Sequence, residues 1–148
     1  MLAVASLTAG QAVAGPIDLL PGRWSGWGHM MLDGGAVERI KCIATYSAEN
    51  GGGELRHSLR CASSDYRIDA VARLKVRQGL VSGDWQERTY ASGGAVRGVV
   101  KGDGIDVMIE GDRFSARMTV DTRQCTQSMR ISPEGMGVRR IAVELRKC

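Results

Sequence analysis

Phenylalanine occurs once in this sequence, aromatic residues make up only 5% of it, and prolines number three. A core with so few rings must be filled by Val, Ile, Leu, Met and Ala, and the chain lacks the stacking platform of a single-strand nucleic-acid binder. The two histidines and the absence of any C-x-x-C pair remove the ordinary zinc-site and thioredoxin-like patterns, so no metal and no cofactor is expected. No glycine run ends in Gly-Lys-Ser/Thr, and the runs at 34–35, 51–53 and 93–94 read as turns rather than phosphate loops. Charge is missing from the first seventeen residues, Asp18 being the first ionisable side chain.

That uncharged start has a pattern of its own. Leu2 to Leu7 is mostly apolar, and Ala12-Val13-Ala14 precedes Gly15-Pro16, an A-x-A cleavage signature behind a short apolar run. The run is far below the ~20 residues of a membrane span, and no Cys follows the cleavage point to carry a lipid anchor. The Lys or Arg that normally precedes such a run is missing, as it would be were Met1 internal to a longer leader. The expected organisation is a signal peptide over 1–14, a short segment over 15–21, and one domain over 22–148. The expected location is periplasmic or secreted.

What the chain has in abundance is glycine, twenty residues spread without a collagen-like period. Such spreading implies many tight turns and therefore many short strands. Turn signals at Asp33-Gly34-Gly35, Asn50 to Gly53, Gln78-Gly79, Ser92-Gly93-Gly94, Gly102-Asp103-Gly104 and Pro133-Glu134-Gly135 delimit about ten strands. The clearest runs from Tyr66 to Arg77: Tyr66, Ile68, Ala70, Ala72, Leu74 and Val76 take one face, while Arg67, Asp69, Arg73, Lys75 and Arg77 take the other. No amphipathic helix appears after the leader. The fold class is all-β, an antiparallel meander closed into a small barrel of about 8–10 strands, because closure removes exposed edges. A β-sandwich is the second choice.

Four cysteines, Cys42, Cys61, Cys125 and Cys148, lie in the mature part and suit disulfides in an oxidising compartment. Pairing Val37–Tyr46 with Glu54–Ala62 so that Cys42 faces Cys61 also places Ala44 opposite Leu59 and Tyr46 opposite His57. The register that joins the cysteines therefore matches the apolar faces. Of three connectivities, 42–61 with 125–148 is favoured. The second pair is less regular, since Ile141, Val143 and Leu145 fall out of phase with Cys148; a bulge or a loose C-terminal end would reconcile them.

Gly22-Arg23-Trp24 resembles the G-x-W element of lipocalins and related calycins. The resemblance implies a calycin-like barrel with Trp24 packed at its closed end beneath a basic residue, here Arg146 or Lys147. Trp85 is expected to be structural as well. A wider resemblance joins Leu20-Pro21-Gly22-Arg23-Trp24-Ser25-Gly26-Trp27-Gly28, Leu59 to Ser63, Ser82 to Tyr90, and Cys148 to a group of exported α-proteobacterial proteins. It implies export and a disulfide frame, and brings no activity with it.

Candidate chemistry is sparse. His57, Ser63 and Asp65 form a His–Ser–Asp set only on paper, with nothing resembling a nucleophile elbow, so no catalytic residue is named and no enzyme is expected. Met30, Met31, Met108, Met118 and Met129 read as core, or as the lining of an apolar pocket. The most specific surface feature is a basic patch. Arg67, Arg73, Lys75 and Arg77 share the outer phase of one strand and Arg56 and Arg60 that of the preceding one, relieved mainly by Glu54 and Asp69. A net charge of +4 and a pI near 9.1 agree with an anionic partner but fall short of a nucleic-acid binder. The sequence therefore favours an exported, non-enzymatic binding domain, inhibitor-like in form, that recognises an anionic polysaccharide or an acidic protein. The alternative is a lipocalin-like carrier of a small apolar ligand, and a hydrolase comes third.

Overall fold

The structure is a computed structural model that describes Ala5 and residues 17–148; the expected cleavage site and the rest of the leader lie outside the described residues. Ten strands follow one another: β1 (Gly22–Leu32), β2 (Val37–Glu49), β3 (Glu54–Ala62), β4 (Arg67–Arg77), β5 (Leu80–Glu87), β6 (Ser92–Lys101), β7 (Gly104–Gly111), β8 (Ser115–Arg123), β9 (Thr126–Glu134) and β10 (Val138–Arg146). Each pairs antiparallel with the next, and β1 pairs with β10, so the sheet is a closed meander barrel of calycin-like topology. Apolar and polar residues alternate in step with the pleat. In β8 the even positions Ala116, Met118, Val120 and Thr122 are buried and the odd ones are not.

The boundaries differ from expectation where side chains intervene. Strand β2 runs on to Glu49, and a single 3-10 turn over Asn50–Gly52 makes the reversal. Strand β5 stops at Glu87 instead of Tyr90, because the Glu87 carboxylate accepts the Tyr90 N–H at 2.7 Å and turns the chain. Strand β6 accordingly begins at Ser92. Pro133 and Glu134 remain in strand β9, and the turn falls on 135–137, where Gly135 and Gly137 both have positive φ.

Cys42 faces Cys61 in the β2–β3 ladder, with Ala44 opposite Leu59 and Tyr46 opposite His57, and the pair is disulfide-bonded inside the barrel. Cys125 and Cys148 are bonded outside the ladder altogether. Cys125 lies in the β8–β9 turn, Cys148 lies past the end of β10, and the Lys147 N–H reaches the Cys125 carbonyl at 3.1 Å. The phase conflict among Ile141, Val143, Leu145 and Cys148 is thus resolved by the strand ending before the cysteine.

The barrel's two ends are unlike. At the end formed by the start of β1 and the β2–β3, β4–β5, β6–β7 and β8–β9 turns, residues 17–21 fold across the opening and insert Leu20. Trp24 is fully buried there, and its indole N–H donates to the Leu20 carbonyl at 2.8 Å. Lys147 crosses above: its ammonium sits 4.8 Å from the Trp24 ring centre and donates to the carbonyls of Leu19 at 2.9 Å and Pro21 at 3.2 Å. Of the two basic residues considered for this position, Arg146 is exposed on the outer phase of β10 and Lys147 takes the role. Close packing at the β1–β10 seam depends on Gly26 and Gly28, where any Cβ would collide with the carbonyl oxygens of Glu144 and Ala142.

Candidate functional site

At the opposite end the β3–β4, β5–β6, β7–β8 and β9–β10 loops surround an opening, and the barrel interior below them is not filled. A cavity of about 680 Å³ lies there. Leu59, Ala70, Trp85, Met118, Ile131 and Ile141 project into it from six different strands, and Tyr66, Tyr90, Phe114 and Met136 rise around it from the loops. Ile68, Ala70 and Ala72 of β4 are consequently only half-buried although they share the inward phase with buried Leu74. Trp85 is held by its indole N–H, which donates to the Glu110 carbonyl at 3.1 Å, and by an edge contact with Phe114, 5.7 Å between ring centres. These contacts hold it in place, and it also forms cavity wall.

Among the strands that line the cavity, one charged group belongs to the inward phase; Glu38 shares the inward phase of β2 outside that lining and accepts the Ser63 and Ser64 hydroxyls. Glu87 follows Val81, Gly83 and Trp85 along the interior face of β5, and it lines the cavity. One carboxylate oxygen accepts the Asp69 N–H at 2.6 Å and the other the Tyr90 N–H at 2.7 Å. Asp112 and Arg113 also border the opening, side by side on the exposed β7–β8 loop.

Towards the plugged end lies a buried polar group. The His57 ring stacks on Tyr46, with ring centres 4.3 Å apart and planes 1° from parallel. The Tyr46 hydroxyl donates to the Gln127 side-chain oxygen at 3.1 Å, and the Gln127 amide donates to the Thr122 hydroxyl at 3.2 Å. The His57 Nε2 atom has no hydrogen-bond partner. Burial lowers the His57 pKa from 6.5 to about 4, so the ring is neutral at physiological pH. Burial also raises the Tyr46 hydroxyl well above its ordinary value, against a smaller lowering by Gln127. Ser63, by contrast, sits in the β3–β4 loop, where its hydroxyl donates to Glu38 at 2.9 Å and accepts the Tyr66 N–H at 3.1 Å. It is separated from His57 by most of strand β3, more than about 15 Å at ~3.3 Å per residue. Asp65 is exposed, and the three residues form no constellation.

The methionines divide by depth. Met30 and Met129 are fully buried, Met108 is 41% exposed on the outside, and of the five singled out only Met118 reaches the cavity. Met136 joins it from the β9–β10 turn. Among the described residues no group of three His, Cys, Asp or Glu side chains is placed to hold a metal ion, and no helix is long and apolar enough to cross a membrane.

The six basic-patch residues, Arg56, Arg60, Arg67, Arg73, Lys75 and Arg77, are all exposed on the outer faces of β3 and β4. Arg56 lies directly opposite Arg73, Arg60 opposite Asp69, and Lys75 opposite Glu54. Among the described residues only Lys75 of the six has an ion pair within 4.0 Å, to Glu54 at 3.9 Å. The far side of the barrel differs: Arg97, Arg117 and Arg123 are paired with Glu110, Asp106 and Asp103. A shallow depression of about 540 Å³ lies on that side between the β6–β7 and β8–β9 turns, bordered by polar and charged groups that include the Asp103–Arg123 pair.

No family model matches the chain, and no curated protein matches it, so the wider resemblance to exported α-proteobacterial proteins gains no support from either comparison. Among solved structures, an S-type phycobiliprotein lyase, CPES of Guillardia theta, superposes with a TM-score of 0.62 at 10% identity. The match covers 88% of this chain and 89% of that one, and at such low identity what the two share is the calycin-like barrel fold.

Proposed function

We propose that the protein is a non-enzymatic carrier that takes a small apolar ligand into the open end of its barrel. The observation that carries this reading is the cavity itself: about 680 Å³, walled by aliphatic and aromatic side chains, open at one end and stopped at the other by Leu20, Trp24 and Lys147. That volume falls in the range of small-molecule sites, and the few polar groups at its opening suit orientation of a guest. The shared barrel with the phycobiliprotein lyase supports the architecture only; the lining residues support the ligand class. The test is titration with Nile red, a neutral apolar dye. Saturable uptake is expected, with loss of uptake in Ala70→Trp, whose indole would occupy the cavity while adding no polar group. Absence of uptake by the wild-type protein would remove the carrier reading.

A second reading rests on the outer face. Like charges directly opposite on neighbouring strands are unfavourable, and Arg56 facing Arg73 beside other unpaired cations is a feature that folding does not require. It supports docking of an anionic polysaccharide or acidic protein against β3 and β4, and it is compatible with a loaded barrel. Two disulfides support a working place outside the cytoplasm, in the periplasm or beyond the cell.

A further inference from the structure

The carrier reading leaves open which apolar ligands are preferred, and the opening of the cavity bears on that. We propose that the cavity selects apolar ligands bearing a protonated or quaternary amine, with the amine at the opening against Glu87 and the apolar body inside. This inference rests on the carrier reading and adds the ligand's charge to it.

Glu87 is the one charged side chain on the inward phase of the strands that line the cavity. Its two oxygens each accept one backbone N–H, from Asp69 and from Tyr90, so its position is fixed before any ligand arrives. A carboxylate offers about four lone-pair sites, and those two bonds leave the others free. Among the described residues no Lys, Arg or His forms an ion pair with it. A wholly apolar guest would strip water from this anion without replacing it, an unfavourable exchange. An ammonium group would instead restore a charge-assisted hydrogen bond or a close counter-charge.

Independent support comes from the rings around the same opening. Tyr66, Tyr90 and Phe114 border the cavity with Trp85 beneath them, in a chain with only 5% aromatic residues. Aromatic faces attract cations, and clusters of them recognise quaternary ammonium groups. The other two charges at the opening, Asp112 and Arg113, are exposed neighbours of opposite sign and leave the Glu87 charge uncompensated.

The experiment is competition against Nile red at neutral pH with four guests of equal chain length: octylamine, octyltrimethylammonium, octanol and octanoate. Both cationic guests are expected to bind at least about tenfold more tightly than octanol, as one charge-assisted contact implies, and octanoate more weakly than octanol. Glu87→Gln is expected to bring the cation-to-alcohol ratio close to one. The four-guest ranking needs only the wild-type protein and stands if that variant does not fold. Equal binding of octanol and the amines would overturn the amine preference while the carrier reading survives. Preference for octanoate would also overturn it, making Arg113 the anchor. Failure of every guest and of Nile red would remove both readings.

Discussion

Protonation of His57 should set the lower pH limit of this fold. The ring is buried against Tyr46 with an unpartnered Nε2, and burial holds its pKa near 4 against 6.5 in the unfolded chain. Between those values the unfolded chain binds a proton that the folded barrel excludes. The contribution of the neutral ring is therefore complete above pH 6.5 and is lost as pH falls towards 4, at a limiting slope of about 1.4 kcal/mol per pH unit. Across the full interval this amounts to on the order of 3 kcal/mol. His57→Phe keeps a flat ring against Tyr46, removes the orphaned nitrogen and cannot be protonated. Urea unfolding of both proteins, followed by tryptophan fluorescence from pH 7.5 to 4.5, isolates the effect, because their carboxylates titrate alike. The variant should gain about 2.5 kcal/mol on the wild type over that range. A difference between the two that stays constant with pH would refute the reasoning, showing that the folded barrel protonates His57 as readily as the unfolded chain does.

The other predictions concern covalent and surface features. Protein recovered from the periplasm of a Gram-negative host should begin at Gly15 and contain no free thiol. Replacing Cys42 and Cys61 together by Ala should cost about 3 kcal/mol, since the bond closes a loop with a sequence separation of 19, and a loss below about 1 kcal/mol by urea unfolding would contradict this. Lys147→Met should destabilise the barrel by about 1 kcal/mol through loss of its contacts with Trp24, Leu19 and Pro21, read as a lower urea midpoint with an unchanged slope. Reversing Arg67, Arg73 and Lys75 to Glu should leave stability within roughly 1 kcal/mol and abolish low-salt retention on heparin, with a charge-scattered variant of equal net charge as the control. Retention equal to wild type would show that the face is only a solvated exterior.

Strand positions, meander order and the Cys42–Cys61 register were legible because a period of two leaves few alternatives once one face must be buried. The calycin resemblance at Gly22-Arg23-Trp24 likewise pointed to a plugged end, although it named two basic residues and the structure uses one. A cavity was anticipated only through the carrier alternative, and its position and lining were not legible. Inward residues near a plugged end and near an open end look the same in sequence: Leu74 is buried and Ala70 lines a void, yet they share one strand and one phase. The loop residues Tyr66, Tyr90, Phe114 and Met136 converge only through closure, which no local pattern records. Glu87 was within reach, since it shares parity with Val81 and Trp85, but extending β5 to Tyr90 concealed that a charged side chain ends the strand. The cations of β3 and β4 were visible as a set because alternation sorts them to one face.

Closure at a single seam also shapes how the molecule can be made. Every ladder except one joins neighbours in sequence, so nine hairpins can form as the chain is threaded, each after only a short search. The exception, β1 with β10, requires the first strand to wait for the last. Until Val138–Arg146 arrives the chain is an open curled sheet with two bare margins, the form most prone to join a second copy of itself. The contacts of Lys147 with Leu19 and Pro21 form only after that seam has met, and they fasten a finished barrel, whereas the Cys125–Cys148 bond needs only the β9–β10 pairing and ties the last strand to its neighbour.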